Sequence, residues 1–558
     1  MRNSARLRRP PPLPPRVTFE NELQTTVVPR KAAAGTATYT RATIATVEDF
    51  EGLVKDCISG EVRFKGARRV ENLLSNTENI TTGTFSISAV TITAGISDPD
   101  GGTAASTITS TGAGAVVFKT VASAVATNEG VNSVWVRRRT GTGVVNIRDP
   151  NNGSTAITAQ LTSSWQRFAS PVDVPTGGNF LWGIALATTA DAIDIAFPQL
   201  EEVTGQGNQN PSEYVSVDVE SSPFHGAMVD GVKYFKTANG NTVASNIVTE
   251  AVGAAFDATD SHNDADGPEG YLREEARENI CLQASVMENA AWTATNVTKS
   301  DNDVASPTGR ITAATLTATA ANGTVIQDLG VIGSAIKAYG LWVKRKTGTG
   351  DIDLTLDNGG SWTTITVTAA WTRVEISATL ANPDVGIRIV TDADAIYVWN
   401  NQCEAASELS SDIITVAAAV TRNADVLTYP TADNQQDAAG TCSAQVKATD
   451  WTTEVGQIVG DGTEALLLAD TTNSGVQAFD GTNTANGPAG TPSGIEELAS
   501  TWGTDLIAYS GGSGGTAASY DGAFTLAQIN IGATTFNGTI RKVKLFNKES
   551  TAKQIRNI

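Results

Sequence analysis

The chain has 558 residues, too many for a single hydrophobic core, and this length predicts three or four domains. Charged residues make up only 18%, with 39 Lys and Arg against 59 Asp and Glu and a net charge of −20. Neutralising phosphates needs a concentrated basic surface, so nucleic-acid binding is excluded as a main activity. No run of 18 apolar residues is present, and no membrane insertion is expected.

Residues 1–36 read as a basic, proline-rich anchor arm. Residues 1–31 hold seven basic and two acidic residues, so this stretch is +5 and the remainder −25. PPPLPP should be extended polyproline II, and Arg6, Arg8, Arg9 and Arg16 are the candidates for holding the arm in a groove of a larger assembly. RRPPPLPPR lacks the apolar centre of a secretory signal, so synthesis and assembly in a cytoplasm are expected.

Beyond the arm, short segments such as TFSISAVTI (84–92), TTITVTAAW (363–371) and TRVEISATL (372–380) alternate apolar and polar residues and are rich in β-branched side chains. Cut by Gly, Asn and Asp turns, this pattern predicts an all-β protein of antiparallel sandwiches. Residues 37–66 form a lead-in strap and 67–212 a first sandwich. A β-rich connector follows over 213–270, then a second sandwich over 271–420. The two sandwiches are a tandem duplication. VWVRRRTGTG (134–143) matches LWVKRKTGTG (341–350), ARRVENLL (67–74) matches EARENICL (275–282), and LTSSWQRF (161–168) matches VTAAWTRV (367–374). ADAIDIAFPQLE (190–201) likewise matches ADAIYVWNNQCE (393–404). A unit this long is a domain rather than a solenoid repeat. From 421 to 558 the texture changes to a separate sandwich that ends in a short helix, with Ser550 as its expected N-cap. Four cysteines, Cys57, Cys281, Cys403 and Cys442, have no paired spacing and are expected to be buried thiols.

TYTRATIATVEDFEGLVKDCISGEVRFKGARRVENLLSNTEN (38–79) resembles the lead-in of tailed-bacteriophage virion proteins of the tail-fibre and capsid-fibre type. In those proteins a jelly roll similar to carbohydrate-binding modules follows, with a WV-R--GTG strand, a WQRF strand and a closing QLE strand. Both copies here carry these pieces, and TRNADVL (421–427) is similar to the exit. The second copy departs at its close, where Cys403 stands in place of Leu200. INIGATTFNGTIRKVKLFNKESTAKQI (529–555) is similar to the last strands of a concanavalin A or laminin G-like sandwich. The resemblance implies an appendage on a virion surface, held through its arm by other virion proteins. It further implies a homo-oligomer, most commonly a trimer, whose lectin-like modules attach to host-surface polysaccharide. A capsid decoration or cementing protein and a glycan depolymerase are the alternatives.

No enzymatic activity is expected. The two histidines, His225 and His262, lie in the connector without a nucleophile motif, and GGSGG (511–515) lacks the strand and helix of a nucleophile elbow. DATDSHNDADG (257–267) places Asp264 and Asp266 as candidate ligands of a structural Ca²⁺, although Arg273 stands where a calcium loop needs its bidentate acid. DPDGG (98–102) is a looser candidate. Sugar recognition needs an aromatic face beside polar side chains. Trp135 with Trp342, and Trp165 with Trp371, occupy matched positions and read as core. The candidates for glycan contact are therefore Trp182, Trp292, Trp362, Trp399, Trp451 and Trp502. In Arg137-Arg138-Arg139 and Lys344-Arg345-Lys346 the alternation directs the middle residue away from its neighbours at a solvated strand end.

Overall fold

The computed structural model describes residues 15–24, 29, 37–49, 51–215, 247–250 and 269–556, apart from 82, 100, 124–125, 208, 213, 453–454, 471–474, 491 and 534. Arg6, Arg8, Arg9, His225, His262, Asp264 and Asp266 lie outside the described residues. The chain is all-β, with every sheet antiparallel, and Ala552–Ile555 is the one α-helix among the described residues. Thr551 caps that helix, its hydroxyl accepting from the Gln554 N–H, one residue later than the sequence suggested. Ser550 is instead tied to Thr441 by two bonds of 2.9 and 3.0 Å.

Each jelly roll is two facing five-stranded sheets. In the first, one sheet runs Ser86–Ser88, Ala115–Ala122, Asn179–Leu186, Val145–Arg148, Ser154–Ala156. Its facing sheet runs Val90–Ile96, Ala105–Ser110, Ala192–Glu202, Gly130–Thr140, Gln166–Ala169. The second copy repeats both orders with Thr293–Thr295, Gly323–Asp328, Asp384–Ile389, Ile352–Thr355, Thr363–Ile365 and with Val297–Ala305, Ile311–Ala318, Ala395–Glu404, Ala335–Thr347, Thr372–Leu380. Between each pair lies a core of Val, Ile and Leu contributed by alternate strand positions.

The C-terminal sandwich draws strands from the whole chain. Its larger sheet contains Gly440–Ala448, Glu496–Trp502 and Gly538–Phe546, and is extended by Gly270–Arg273 and Phe64–Lys65. Val17–Asn21 also pairs with Gly538–Phe546, with Glu20 opposite Lys544. In the opposing sheet Thr38–Thr40 pairs with Val426–Tyr429. Phe19, Leu23, Val62, Phe64 and Tyr271 are all buried in this sandwich's core. The stretch read as an arm thus supplies a core strand over 17–21, and both jelly rolls leave from and return to this one body. Gly270, at φ 111°, lies so close to the last strand that a Cβ would meet the Ile540 carbonyl oxygen at 2.8 Å.

Candidate functional site

The outer face of the second jelly roll carries the most open aromatic–polar group found among the sequence candidates. In Ile352–Thr355 and Asp384–Ile389, Ile352, Leu354, Ile387 and Ile389 point into the core. The alternation therefore turns Asp353 and Arg388 outward, where they stand opposite each other in register. Arg388 Nη2 and Nε reach Asp353 Oδ2 at 2.6 and 2.8 Å, and the Thr364 hydroxyl donates to Oδ1 at 2.7 Å. The Arg388 guanidinium lies 4.5 Å from the centre of the Trp362 ring. Trp362 is half-buried, and Thr295 and Thr324 continue the same row across the sheet.

The loop before Trp362 fixes the ring. Thr355 Oγ1 accepts from the Gly359 N–H at 2.9 Å and donates to Asp357 Oδ1, which accepts the Ser361 N–H at 2.8 Å. Gly359 is left-handed, and a Cβ there would fall 2.8 Å from Trp362 Cζ2, so only glycine lets the ring lie down. At the far end of this face Asp384 is paired with Asp328. Partial burial first, and the neighbouring carboxyl group second, raise its affinity for a proton above the ordinary aspartate range. By strand register, the first copy has Asn146, Ala185, Ser154 and Ala156 where the second has Asp353, Arg388, Trp362 and Thr364. The group belongs to the second jelly roll alone.

The other five tryptophan candidates have no face for a sugar. Trp182, Trp292 and Trp502 are fully buried, and Trp399 and Trp451 nearly so. The indole N–H of Trp182, Trp292, Trp451 and Trp502 is satisfied by a backbone carbonyl. The matched four were expected in the core and are instead half-buried on the outer faces. Trp135 and Trp165 pack by Phe197 and Tyr214, while Trp342 and Trp371 cover Trp399 beside Val54 of the lead-in. All four cysteines are buried free thiols. GGSGG forms an edge hairpin in which Tyr509 pairs with Gly514. Asp98 accepts the N–H groups of Gly102 and Ala104 at 2.8 and 2.9 Å and so closes its own turn. Among the described residues no three His, Cys, Asp or Glu side chains come together to hold a metal ion.

The duplicated motifs turn out to be clamps. Arg138 donates to the Gly143 carbonyl at 2.8 Å while Asp191 accepts the Gly143 N–H at 2.7 Å. Arg345, Gly350 and Asp394 repeat this at 2.9 and 2.7 Å. Asn72 Oδ1 accepts the N–H groups of Leu74 and Leu200, and Asn279 Oδ1 those of Cys281 and Cys403, tying the first and last strands of each copy. Gln199 and Gln402 accept the N–H of Val215 and Ile413 and hold the chain leaving each copy.

Where lead-in, second jelly roll and C-terminal sandwich meet, three arginines and two acids are buried together. Arg63 binds Glu274 at 2.7 Å and also Asp425; Arg41 reaches Asp425 at 3.1 Å and Arg422 reaches Glu274 at 3.4 Å. The Tyr39 hydroxyl donates to Asp425 at 2.5 Å. Burial works against the charge on Asp425 and Glu274, but the guanidinium groups outweigh it and hold both well below the usual carboxylate range.

No family model matches the chain, and no curated protein matches it. Among solved structures it is similar to the CBM22-1–CBM22-2 tandem domain from Paenibacillus barcinonensis Xyn10C. Identity there is 12%, over 60% of this chain and 98% of that one, with a TM-score of 0.19. It is also similar to Trypanosoma rangeli sialidase, with 9% identity, 97% of both chains covered and a TM-score of 0.20. Arthrobacter globiformis T6 isomalto-dextranase shares 11% identity over 55% of this chain and 38% of that one, with a TM-score of 0.16. Likenesses at these scores carry nothing about ligand or activity.

Proposed function

We propose that the chain is a non-enzymatic structural protein of a bacteriophage virion, an appendage that binds host polysaccharide through its second jelly roll. The carrying observation is the Trp362, Arg388, Asp353 and Thr364 group: a half-buried indole beside oriented hydrogen-bonding side chains. The virion placement rests on the lead-in, jelly-roll and exit motifs, and the basic residues before 17 would engage the particle. The test is binding of the full-length protein to host cells and to their extracted surface polysaccharide, compared with Trp362→Ala. Binding that depends on Trp362 is expected, with no release of oligosaccharide on long incubation. Equal binding by the variant, or none by either protein, sinks the adhesin reading; released oligosaccharide would instead favour a depolymerase.

A second reading, a decoration or cementing protein with purely structural sandwiches, is favoured by one observation. Five of the six tryptophan candidates serve cores or buried contacts. Imaging of particles carrying a tag at residue 558, together with stability of particles lacking the protein, separates the two. Loss of adsorption supports the appendage, and loss of capsid stability supports the cement.

A further inference from the structure

We infer that the glycan taken by the Trp362 face is neutral rather than polyanionic; this rests on the reading that the face binds a glycan at all. Strand parity gives the argument. Arg388, Gly386 and Asp384 share one side of their strand, as do Thr324, Ile326 and Asp328 on the neighbouring one. Asp353 and Thr355 lie on the same outward side, with Asp351 and Asp357 continuing that parity into the flanking turns. Five carboxyl groups, Asp328, Asp351, Asp353, Asp357 and Asp384, therefore border a face on which Arg388 is the only basic side chain in the five strands.

That arginine is not free to receive an acidic sugar. Two of its nitrogens are held by Asp353, which is itself buried and also bonded to Thr364. A uronate or sialate carboxylate stacked beside Trp362 would meet a compensated guanidinium and four further carboxyl groups. The chain as a whole is −20, so the long-range field has the same sign. The hydroxyls of a neutral pyranose need no compensating cation. They find donors and acceptors in the row Thr295, Thr324, Arg388 and Thr364, which Asp353 holds in place from below.

The test is affinity electrophoresis of the full-length protein in gels containing dextran, yeast mannan or galactomannan, and in gels containing alginate or hyaluronan. Each gel is run at low and at physiological ionic strength. Retardation by at least one neutral polysaccharide is expected, little changed by salt and weakened about tenfold or more in Trp362→Ala. Trp362→Tyr should keep much of it, and thermal melting of both variants confirms folding. Retardation by alginate or hyaluronan alone, lost in Trp362→Ala, would overturn the neutral class while leaving glycan binding at this face intact. No retardation in any gel, or retardation indifferent to Trp362, would overturn both.

Discussion

Replacing Asp425 with Ala removes the acid on which the buried ionic cluster converges. Asp425 binds Arg41 and Arg63, accepts from the Tyr39 hydroxyl, and accepts the Glu274 N–H at 3.3 Å. The cluster holds three cations and two anions, and both Asp425 and Arg63 are without solvent contact along their side chains. With Asp425 gone, Arg63 and Arg422 keep Glu274, while Arg41 loses its ion pair and stays buried. Removing one partner of a buried pair costs about 3–5 kcal/mol, because the remaining charge stays desolvated. At about 2–4 °C per kcal/mol for a unit of this size, the melting temperature should fall by roughly 6–20 °C. Calorimetry at neutral pH measures it, and a double-mutant cycle with Arg63→Ala should show strong non-additivity. A loss below about 1 kcal/mol, or additive losses, would show that the cluster does not hold the three bodies together. The pH dependence follows from the same charges. Both acids titrate lower in the folded protein than in the unfolded chain, so their contribution is complete above the unfolded carboxylate range near pH 4. It declines progressively as the pH falls below that range and is gone once the depressed folded values are passed, so wild-type protein should keep this contribution at about pH 5 and lose it steadily below about pH 4.

Phe19→Ala should cost about 3–5 kcal/mol by denaturant unfolding, because the ring is fully buried against Tyr429 in the C-terminal sandwich; a change below about 1 kcal/mol would refute the core placement of this strand. Asp49 is pushed by burial up to about 6, against the nearby Lys55 and two N–H donors. The folded state therefore binds the extra proton between about pH 4 and 6, and stability attributable to this group should fall as pH rises through that window. Asp49→Asn should flatten that slope in melting-temperature profiles, and an unchanged slope would assign it to other groups. Burial pushes the Cys403 thiol up to about 12 and raises those of Cys281 and Cys442, so iodoacetamide should leave these three unmodified in native protein at pH 8 and label them after denaturation.

The duplication was legible because its motifs are local. A strand, its glycine turn and its closing acid each carry a fixed spacing, and the structure uses them as matched clamps at Arg138 and Arg345 and at Asn72 and Asn279. The strand over 17–21 was hidden beside the proline-rich stretch because its partner, the edge at 543–546, lies more than 500 residues away. For the same reason nothing local shows that TRATIAT and EVRF of the lead-in touch TRNADVL of the exit, although Arg41, Arg63, Arg422 and Asp425 meet in one cluster. Asp353 and Arg388 left a faint local signal, a lone charge at the outward position of IDLT and of GIRI.

The tryptophans show where pattern alone fails. Alternation assigns a side chain to a face but not that face to the interior, and Val134, Trp135 and Val136 offer two apolar faces. The smaller residues went inward and Trp135 went outward. Tryptophans unmatched between the copies are natural candidates for a ligand, yet two of them are unmatched because the two cores are filled differently. By register Phe85 and Trp182 of the first copy correspond to Trp292 and Val385 of the second. In the first, the two rings meet edge to face at 5.6 Å. In the second, the large residue has moved to the other strand and a valine has taken its place, with both pairs essentially buried. Close packing fixes the summed volume at a site rather than the identity at each position, so a ring lost on one strand is regained on its neighbour. Trp362 escapes this rule because its counterpart, Ser154, lies on an outer face where no volume has to be conserved.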